Sequence, residues 1–279
     1  MALAYAVTAA VLLGLSDFFA ARSARTTPSV TVTRTAVATS TVLAPITLLL
    51  VDGDWILQDT TIAAASGLFM ILGLMLLYRG YAVARMGIVA PLSSVLLATV
   101  PVVWDAVNGI RPQGAAAAGM VLGAVALVLT SYTPGGQGSV TQGAILGIAS
   151  GVVFGTAFTF MGEISDEAGL TPVLVQRLVG LGVLTAVFLF RSEPFFARPG
   201  IGRNYAVAAG LPAVFAIAAL QTAFQKGEAG PVAVASSQFA TVAVILSVVF
   251  NHERMRWWQA VGVVSTAAAV ALIAWGGAA

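Results

Sequence analysis

Three ionisable residues, Asp17, Arg34 and Arg177, lie inside otherwise apolar stretches of the sequence. If these stretches cross a membrane, a charge near the middle costs about 2.5–3.5 kcal/mol, so each residue needs a physical reason. Asp17 and Arg34 lie about one helical turn to either side of the same loop. Two interpretations are open: a structural ion pair with snorkelling arginines, or a role in proton coupling or in binding the amine of a substrate.

A second set of residues combines hydroxyl, amide and aromatic side chains that could surround a small ligand. Ser94 and Ser237 occupy equivalent positions on helical faces whose other members are mostly small, which leaves room for a ligand. Helix packing is the competing explanation for each residue taken singly. The predicted substrate-binding cavity comprises Asp17, Tyr78, Ser94, Trp104, Phe158, Gln221, Ser237 and Gln238.

The parts of an enzyme site are missing from the sequence. His252 is the single histidine and there is no cysteine, which excludes a histidine metal cluster, a Ser-His pair and a thiolate nucleophile. No phosphate-binding loop is present, and a net charge of +2 gives no indication of nucleic-acid binding. We therefore expect no catalytic residue, no metal, no cofactor and no nucleic-acid partner, and no obligate protein partner is evident.

The elements that must position these residues are membrane helices. Hydrophobic residues make up 59% of the 279 residues and charged residues only 9%, which excludes a soluble globular protein. The apolar runs are continuous over about 20 residues, which favours spanning helices over alternating barrel strands. An all-α integral membrane protein with ten transmembrane helices is predicted, with spans at 2–21, 30–51, 60–82, 86–107, 114–132, 140–162, 172–191, 204–224, 231–250 and 257–275.

The chain contains a diverged internal repeat. A shift of 143 residues superposes Ser94 on Ser237, Gly87 on Gly230 and Arg34 on Arg177. The repeats are predicted as 1–137 and 138–279, and five helices in each half make the second repeat inverted (5+5). Inverted repeats are typical of alternating-access transporters, so we expect one half to rock on the other around a central site.

Glycines and prolines predict where helices approach closely or bend. Gly147, Gly151 and Gly155 repeat every four residues on one helical face, for which static packing and a sliding contact are both open. Pro91 and Pro101 each remove a backbone donor in the fourth span and are predicted hinge or packing residues.

The pattern resembles the drug/metabolite transporter superfamily, in its ten-helix EamA-type branch. The resemblance rests on Gly14, Asp17 and Phe18, on Arg34 and Arg177, on the run from Tyr78 to Ala82 followed by Gly87 and Pro91, and on Asn251 to Arg254 with Gln259 and Gly262. It covers essentially the whole chain, although the first half has Ile110 where the second has Glu253. Within the family, the sequence is most similar to bacterial amino-acid exporters of the YddG type.

The resemblance implies a secondary-active exporter of small metabolites in the bacterial inner membrane, with amino acids that carry aromatic or other apolar side chains as the preferred cargo. The sequence leaves drugs, nucleotide sugars or other metabolites as alternative cargoes, and a channel as a distant alternative. The lipid bilayer and a small-molecule substrate are the expected partners.

The orientation in the membrane is open, because two arguments disagree. The odd-numbered loops and the adjoining span ends hold nine basic residues and the even-numbered loops two, which by the positive-inside rule places the odd-numbered loops in the cytoplasm and both termini outside. The family resemblance implies the reverse, with the termini inside.

Overall fold

The fold is known from a computed structural model that describes residues 1–24, 26–83, 86–110, 114–131, 140–190, 194–251 and 256–276. The described residues form α-helices joined by short loops, with one turn of 3-10 helix at Asp166–Ala168. In chain order the helices are α1 (Ala2–Ala24), α2 (Ser29–Thr47), α3 (Leu57–Val83), α4 (Met86–Val107), α5 (Gly114–Ser131), α6 (Val140–Gly162), α7 (Thr171–Phe188), α8 (Ile201–Gln225), α9 (Ala229–Ser236), α10 (Phe239–Asn251) and α11 (Trp257–Gly276).

These helices confirm the predicted ten spans, with α9 and α10 together forming the ninth. Six stretches of described residues are long and apolar enough to cross a membrane, and three further apolar helices are shorter. The second span is the most polar, because α2 carries Arg34 and several threonines whose hydroxyls bond to carbonyls one turn back, as Thr35 and Thr39 do.

The ninth span is interrupted at Ser237 and Gln238, between α9 and α10. The side chains of both residues bond to the carbonyl of Val234, at 2.8 Å for Ser237 and 3.2 Å for Gln238. Side chains that bond locally to the backbone compete with helical hydrogen bonding, which accounts for a break at a position without proline. In the fourth span, by contrast, α4 continues through Pro101 without interruption.

Loop contacts identify two ends of the helix bundle. Gly53, in the second loop, touches Ala168 in the sixth, and Gly227 in the eighth loop lies against Ala2 at the start of α1. We call this end, at which α1 begins and α11 ends, the terminal side. The first and seventh loops meet at the opposite end, where Gly202 lies against Thr27. We call that end the odd-loop side.

The helices pack as two bundles, each of which draws on both halves of the sequence. The α1 bundle contains α1, α2, α8 and α10, with α9 as the continuation of α10, and its main contacts join α1 to α8 and α10, and α2 to α8. The α6 bundle contains α3, α4, α6 and α7, and its main contacts join α6 to α3 and α4, and α7 to α3. Exchanging the two halves converts one set of contacts into the other, as expected for an inverted repeat.

The expectation that one half rocks on the other concerns a motion and stays a prediction. The packed units are the two cross-half bundles, because each first helix of a repeat packs on the third helix of the other repeat. Helices α5 and α11 form a separate pair beside them. The boundary at which a ligand could be held lies between the α1 bundle and the α6 bundle.

Candidate functional site

The boundary between the two bundles is densely packed on the terminal side. Its core is formed by buried residues from α1, α4, α6, α7, α8 and α9, which include Ala6, Met161, Val173 and Ala233. Phe158 on α6 and Phe224 on α8 meet edge to face in this core, with ring centroids 5.4 Å apart. Because these two helices belong to different bundles, the aromatic pair closes the boundary at this end.

Buried amides add polar contacts to the same closure. The amide nitrogen of Gln221, on α8, donates to the carbonyl of Met161 at 3.3 Å, and its oxygen accepts from Gln176 on α7 at 3.2 Å. Gln176 also lies 3.5 Å from the hydroxyl of Ser66 on α3. One turn further along α8, Gln225 donates to the carbonyls of Ser165 and Gly169. These hydrogen bonds join α8 to the α6 bundle.

The odd-loop side of the same boundary lacks the matching contacts. α4 packs on α9 toward the terminal side, but the described residues form no comparable interface between α4 and α10. Likewise α6 packs on α8, whereas the part of the chain that the structure describes shows no comparable interface between α1 and α3. We call this less densely packed part of the boundary, toward the odd-loop side, the cleft.

Asp17 lies on the wall of α1 that faces the cleft. Ala6 and Ala10 share its helical face, because residues 7 and 11 positions apart differ by only about 20° around a helix. Ala6 and Ala10 are buried, but Asp17 and Ala21, further toward the odd-loop side, are exposed. Ser16 contacts α8 and Gly14 contacts α10, and Asp17 lies on the helical face between these two contacts. This face is therefore no longer covered by other helices at the level of Asp17.

Asp17 has no hydrogen bond or ion pair with any residue in the described ranges, so the structural pair with Arg34 is absent from this conformation. Asp17 lies about 10 Å along the helix axis from the end of α1 at Ala24. An unpaired carboxylate at this depth remains available to a ligand.

The two intramembrane arginines occupy different surroundings. Arg34 is fully buried, and its guanidinium carbon lies 5.4 Å from the ring centroid of Phe188 and 5.8 Å from that of Phe195. Arg177 donates to the sulfur of Met70 at 3.1 Å. Arg34 lies on α2 and Arg177 on α7, and these two helices contact each other across the bundle boundary.

The other predicted cavity residues are dispersed along the bundle rather than gathered around one site. Trp104 and Phe158 lie within about 6 Å of the terminal-side ends of their helices, far from Asp17. Trp104 is 42% exposed and donates to Glu163 at 2.6 Å.

Gln238 faces outward to α5 and α11, where it contacts the carbonyl of Gly123 and the hydroxyl of Thr266. Ser94 and Ser237 are buried, and the side chain of Tyr78 lies outside the described part of the structure.

The predicted packing residues lie inside the α6 bundle. The stripe formed by Gly147, Gly151 and Gly155 faces α4, where a Cβ on Gly151 would come within 2.6 Å of the carbonyl oxygen of Ser93. Pro101 is buried in continuous helix, whereas the side chain of Pro91 is outside the described part. The hinge role of both prolines remains a prediction.

Three residues that contribute contacts to the closed end were not predicted from the sequence: Ser66, Gln176 and Asp105. Gln176 precedes Arg177 in an apolar helix, so the adjacent polar pair was a usable signal. Asp105, in the last turn of α4, accepts a hydrogen bond from the backbone of Gly230. Nothing in local spacing links these two residues, which are 125 positions apart.

Comparisons with known proteins agree with this architecture. A solved structure titled "Crystal structure of protein" superposes with a TM-score of 0.79 over 97% of this chain and 95% of its own, at 17% sequence identity. At that identity the likeness shows the fold alone. No curated protein matches the sequence. The family model described as "EamA-like transporter family" matches residues 141–275. The second half of the chain thus carries an EamA-like domain, which supports a transporter of the drug/metabolite transporter superfamily.

Proposed function

We propose that the protein is a secondary-active exporter that moves amino acids across the bacterial inner membrane by alternating access at the boundary between its two bundles. One observation carries the proposal: the boundary is packed on the terminal side and open on the odd-loop side, and the open part presents the unpaired carboxylate of Asp17. A carrier needs both a closed and an open end, and a zwitterion leaving water needs a polar partner for its ammonium group.

The apolar part of the cargo would meet aromatic side chains at mid-depth. The wall first expected from Tyr78, Trp104 and Phe158 does not suit the cleft, since Trp104 and Phe158 belong to the closed end. Phe154 on α6 and Phe239 on α10 are only partly buried and pack against the terminal-side core. We propose that they form the floor of the cleft, where flat rings accept varied apolar side chains with little demand on shape.

An organic cation is the second candidate cargo. Asp17 supplies a negative charge, but no described basic residue is seen beside it to bind the carboxylate of an amino acid. A cationic drug would need only the charge that Asp17 provides. Nucleotide sugars fit less well, because their phosphates would be repelled by Asp17.

Counterflow in proteoliposomes separates these cargoes. Purified protein is reconstituted with a high internal load of unlabelled Phe, Met, Leu or Thr, and labelled amino acid is added outside without ATP. Transient accumulation of label supports amino-acid exchange. Absence of counterflow with all four, together with counterflow of a cationic drug or a nucleotide sugar, would reject the amino-acid assignment.

The step of the transport cycle that this conformation represents depends on the orientation of the protein in the membrane. The loop charges and the family resemblance assign opposite orientations. If the odd-numbered loops are cytoplasmic, as the positive-inside rule indicates, the cleft opens to the cytoplasm and this conformation is the loading state. A reporter fused after Ala279 measures the side on which the C-terminus lies. A cytoplasmic C-terminus would contradict the charge argument and make the same conformation the releasing state.

A further inference from the structure

A single carboxylate joins the two bundles at the closed end. Asp105 is in the last turn of α4 and is only 4% exposed. Its Oδ2 accepts a hydrogen bond of 2.6 Å from the backbone N–H of Gly230, at the start of α9. Because α4 belongs to the α6 bundle and α9 continues into α10, this contact crosses the bundle boundary.

The contact also completes the N-terminus of α9. The first turn of a helix has backbone N–H groups without intrahelical partners, and its partial positive charge favours an anion. Glu228 precedes α9 but makes no capping hydrogen bond with its own side chain. Asp105 therefore provides, from the opposite bundle, an acceptor that the local sequence does not. A Cβ on Gly230 would lie 3.1 Å from the Asp105 oxygen, so glycine permits the close approach.

On the odd-loop side, no carboxylate occupies the position equivalent to Asp105. The repeat offset places Val248 at the position of Asp105 and Gly87 at the position of Gly230. A valine side chain cannot accept a hydrogen bond from the opposing helix. The two ends of the boundary therefore differ in a chemical group that acts only when the terminal side is closed.

We propose that Asp105 is a latch that holds the terminal side closed and so favours the conformation with an open odd-loop side. This inference rests on the proposed function in one respect, since it assumes that the terminal side opens during a transport cycle. Opening would separate α4 from α9 and break the hydrogen bond between Asp105 and Gly230. Asp105 acts through the position of α9, and is a positioning residue that need not touch the cargo.

A matched carboxylate provides the control. Asp59, at the start of α3, is 5% exposed and lies on the same side. It accepts hydrogen bonds from the backbone N–H of Ser165 at 3.2 Å and from its hydroxyl at 2.6 Å. Ser165 follows α6, so both partners belong to the α6 bundle. The carbonyl of Ser165 also accepts a hydrogen bond from Gln225. Losing the Asp59 contact breaks no hydrogen bond between the bundles, so it should reduce stability and shift the closure less than losing the Asp105 contact.

The experiment measures which end is open and needs no cargo. The chain has no natural cysteine, so Ala233→Cys in the closed core and Ala21→Cys beside Asp17 serve as single reporters. A water-soluble maleimide is reacted with detergent-solubilised protein, and the labelling rate is measured at each reporter. Asp105→Asn keeps the shape but removes the charge, and Asp105→Ala removes the acceptor altogether.

We expect Asp105→Asn to raise the labelling rate at Ala233→Cys by about fivefold, because a charge-assisted hydrogen bond is about twice as strong as a neutral one. Asp105→Ala should raise this rate by more. In both variants the labelling rate at Ala21→Cys should fall. Asp59→Asn should change the ratio of the two rates less than either Asp105 variant does. Equal ratios in the Asp105 variants and the parent would overturn the latch, as would an equal shift in Asp59→Asn. If the Asp105 variants do not fold, Gly230→Ala tests the same contact from the other bundle. Failure of counterflow with an intact labelling shift would instead reject only the cargo assignment.

Discussion

The two ends of the bundle boundary are built from equivalent helices but are held together differently. On the terminal side, Phe158 packs edge to face on Phe224, Gln221 bonds to both α6 and α7, and Asp105 meets α9. On the odd-loop side, Arg22 contacts Tyr205 and the carbonyl of Phe250, but all three residues belong to the α1 bundle. The described contacts across the boundary at that end lie at its margin, between α2 and α7.

The difference shows how an inverted repeat can rest in an asymmetric state. The repeat offset places Phe160 at the position of Asp17, and Phe158 precedes it by two residues on α6. Phe158 is buried in the closed end, whereas Asp17 is exposed in the open end. Burying an aromatic ring is favourable, and burying an unpaired carboxylate is costly, so Phe158 and Asp17 favour the same state. The sequences of the repeats thus bias a symmetric scaffold toward one open end.

A disulfide across the closed end should have the largest effect on this asymmetry. A Cβ on Gly162 of α6 would lie 3.3 Å from the Cβ of Ala229 on α9, close to the separation in natural disulfides. Oxidation of Gly162→Cys with Ala229→Cys should reduce counterflow by more than about tenfold, because the terminal side can no longer open. A reducing agent should restore it.

The control is a disulfide inside one bundle. A Cβ on Gly80 of α3 would lie 3.4 Å from the Cβ of Leu146 on α6, and both helices belong to the α6 bundle. Oxidised Gly80→Cys with Leu146→Cys should still exchange cargo. Inhibition by this second pair as strong as by the first would contradict the assignment of the moving units.

Substitution of Asp17 should have the next largest effect and tests the open end. Asp17→Asn should reduce counterflow by at least about tenfold, because a neutral amide cannot replace the charge that meets an ammonium group. Its thermal stability should change by less than about 0.5 kcal/mol, since Asp17 has no partner among the described residues. Transport and melting are measured on the same preparation, with Asp59→Asn as the variant expected to lose stability and retain transport.

The opposite result, a loss of stability in Asp17→Asn, would support a structural ion pair between Asp17 and Arg34. In that case Asp17→Asn would lower the melting temperature, and Arg34→Gln would partly compensate for it in a double-mutant cycle. Additive effects of the two substitutions are expected from the structure, in which the guanidinium of Arg34 lies against Phe188 and Phe195.

The helices were predictable from sequence, whereas the site was only partly so. Apolar runs of membrane-spanning length are a local property, and the observed helix bounds lie close to those runs. The break at Ser237 and Gln238 was not expected, because it depends on side-chain competition for a carbonyl and not on proline. The unequal ends of the boundary depend on which conformation the chain adopts, and residue spacing within one helix carries no information on that.

Asp17 stands out from the sequence alone, because a carboxylate inside an apolar span is recognisable without a structure. Trp104 and Phe158 were grouped with it because the expected cavity lay between sequence halves. The cross-half bundles place them at the other end of the boundary. Gln176 and Asp105 were overlooked for the same reason, since their partners come from distant parts of the chain.

A buried amide at the closed end allows a smaller shift of the equilibrium. Gln221→Leu removes the hydrogen bonds to Gln176 and Met161 while preserving most of the volume. Labelling of Ala233→Cys should rise by about fivefold, the lower end of the range for two buried hydrogen bonds that each contribute about 0.5–1.5 kcal/mol. Gln238→Leu is the matched control, as this amide is also buried but faces α5 and α11. A rise in labelling with Gln238→Leu and not with Gln221→Leu would place the closure elsewhere.

A substitution in the glycine stripe of α6 should change the balance between the open and closed ends least. A Cβ on Gly151 would lie 2.6 Å from the Cβ of Leu96 and from the carbonyl oxygen of Ser93, both on α4. Because α4 and α6 belong to one bundle, Gly151→Ala should cost about 1–3 kcal/mol of stability through overpacking. Counterflow per folded molecule and the labelling ratio should stay unchanged. Gly182→Ala, where a Cβ would meet nothing within 4 Å, should alter neither stability nor transport. If Gly151→Ala stopped transport at unchanged stability, α4 and α6 would have to slide on each other, and the α6 bundle could not move as one body.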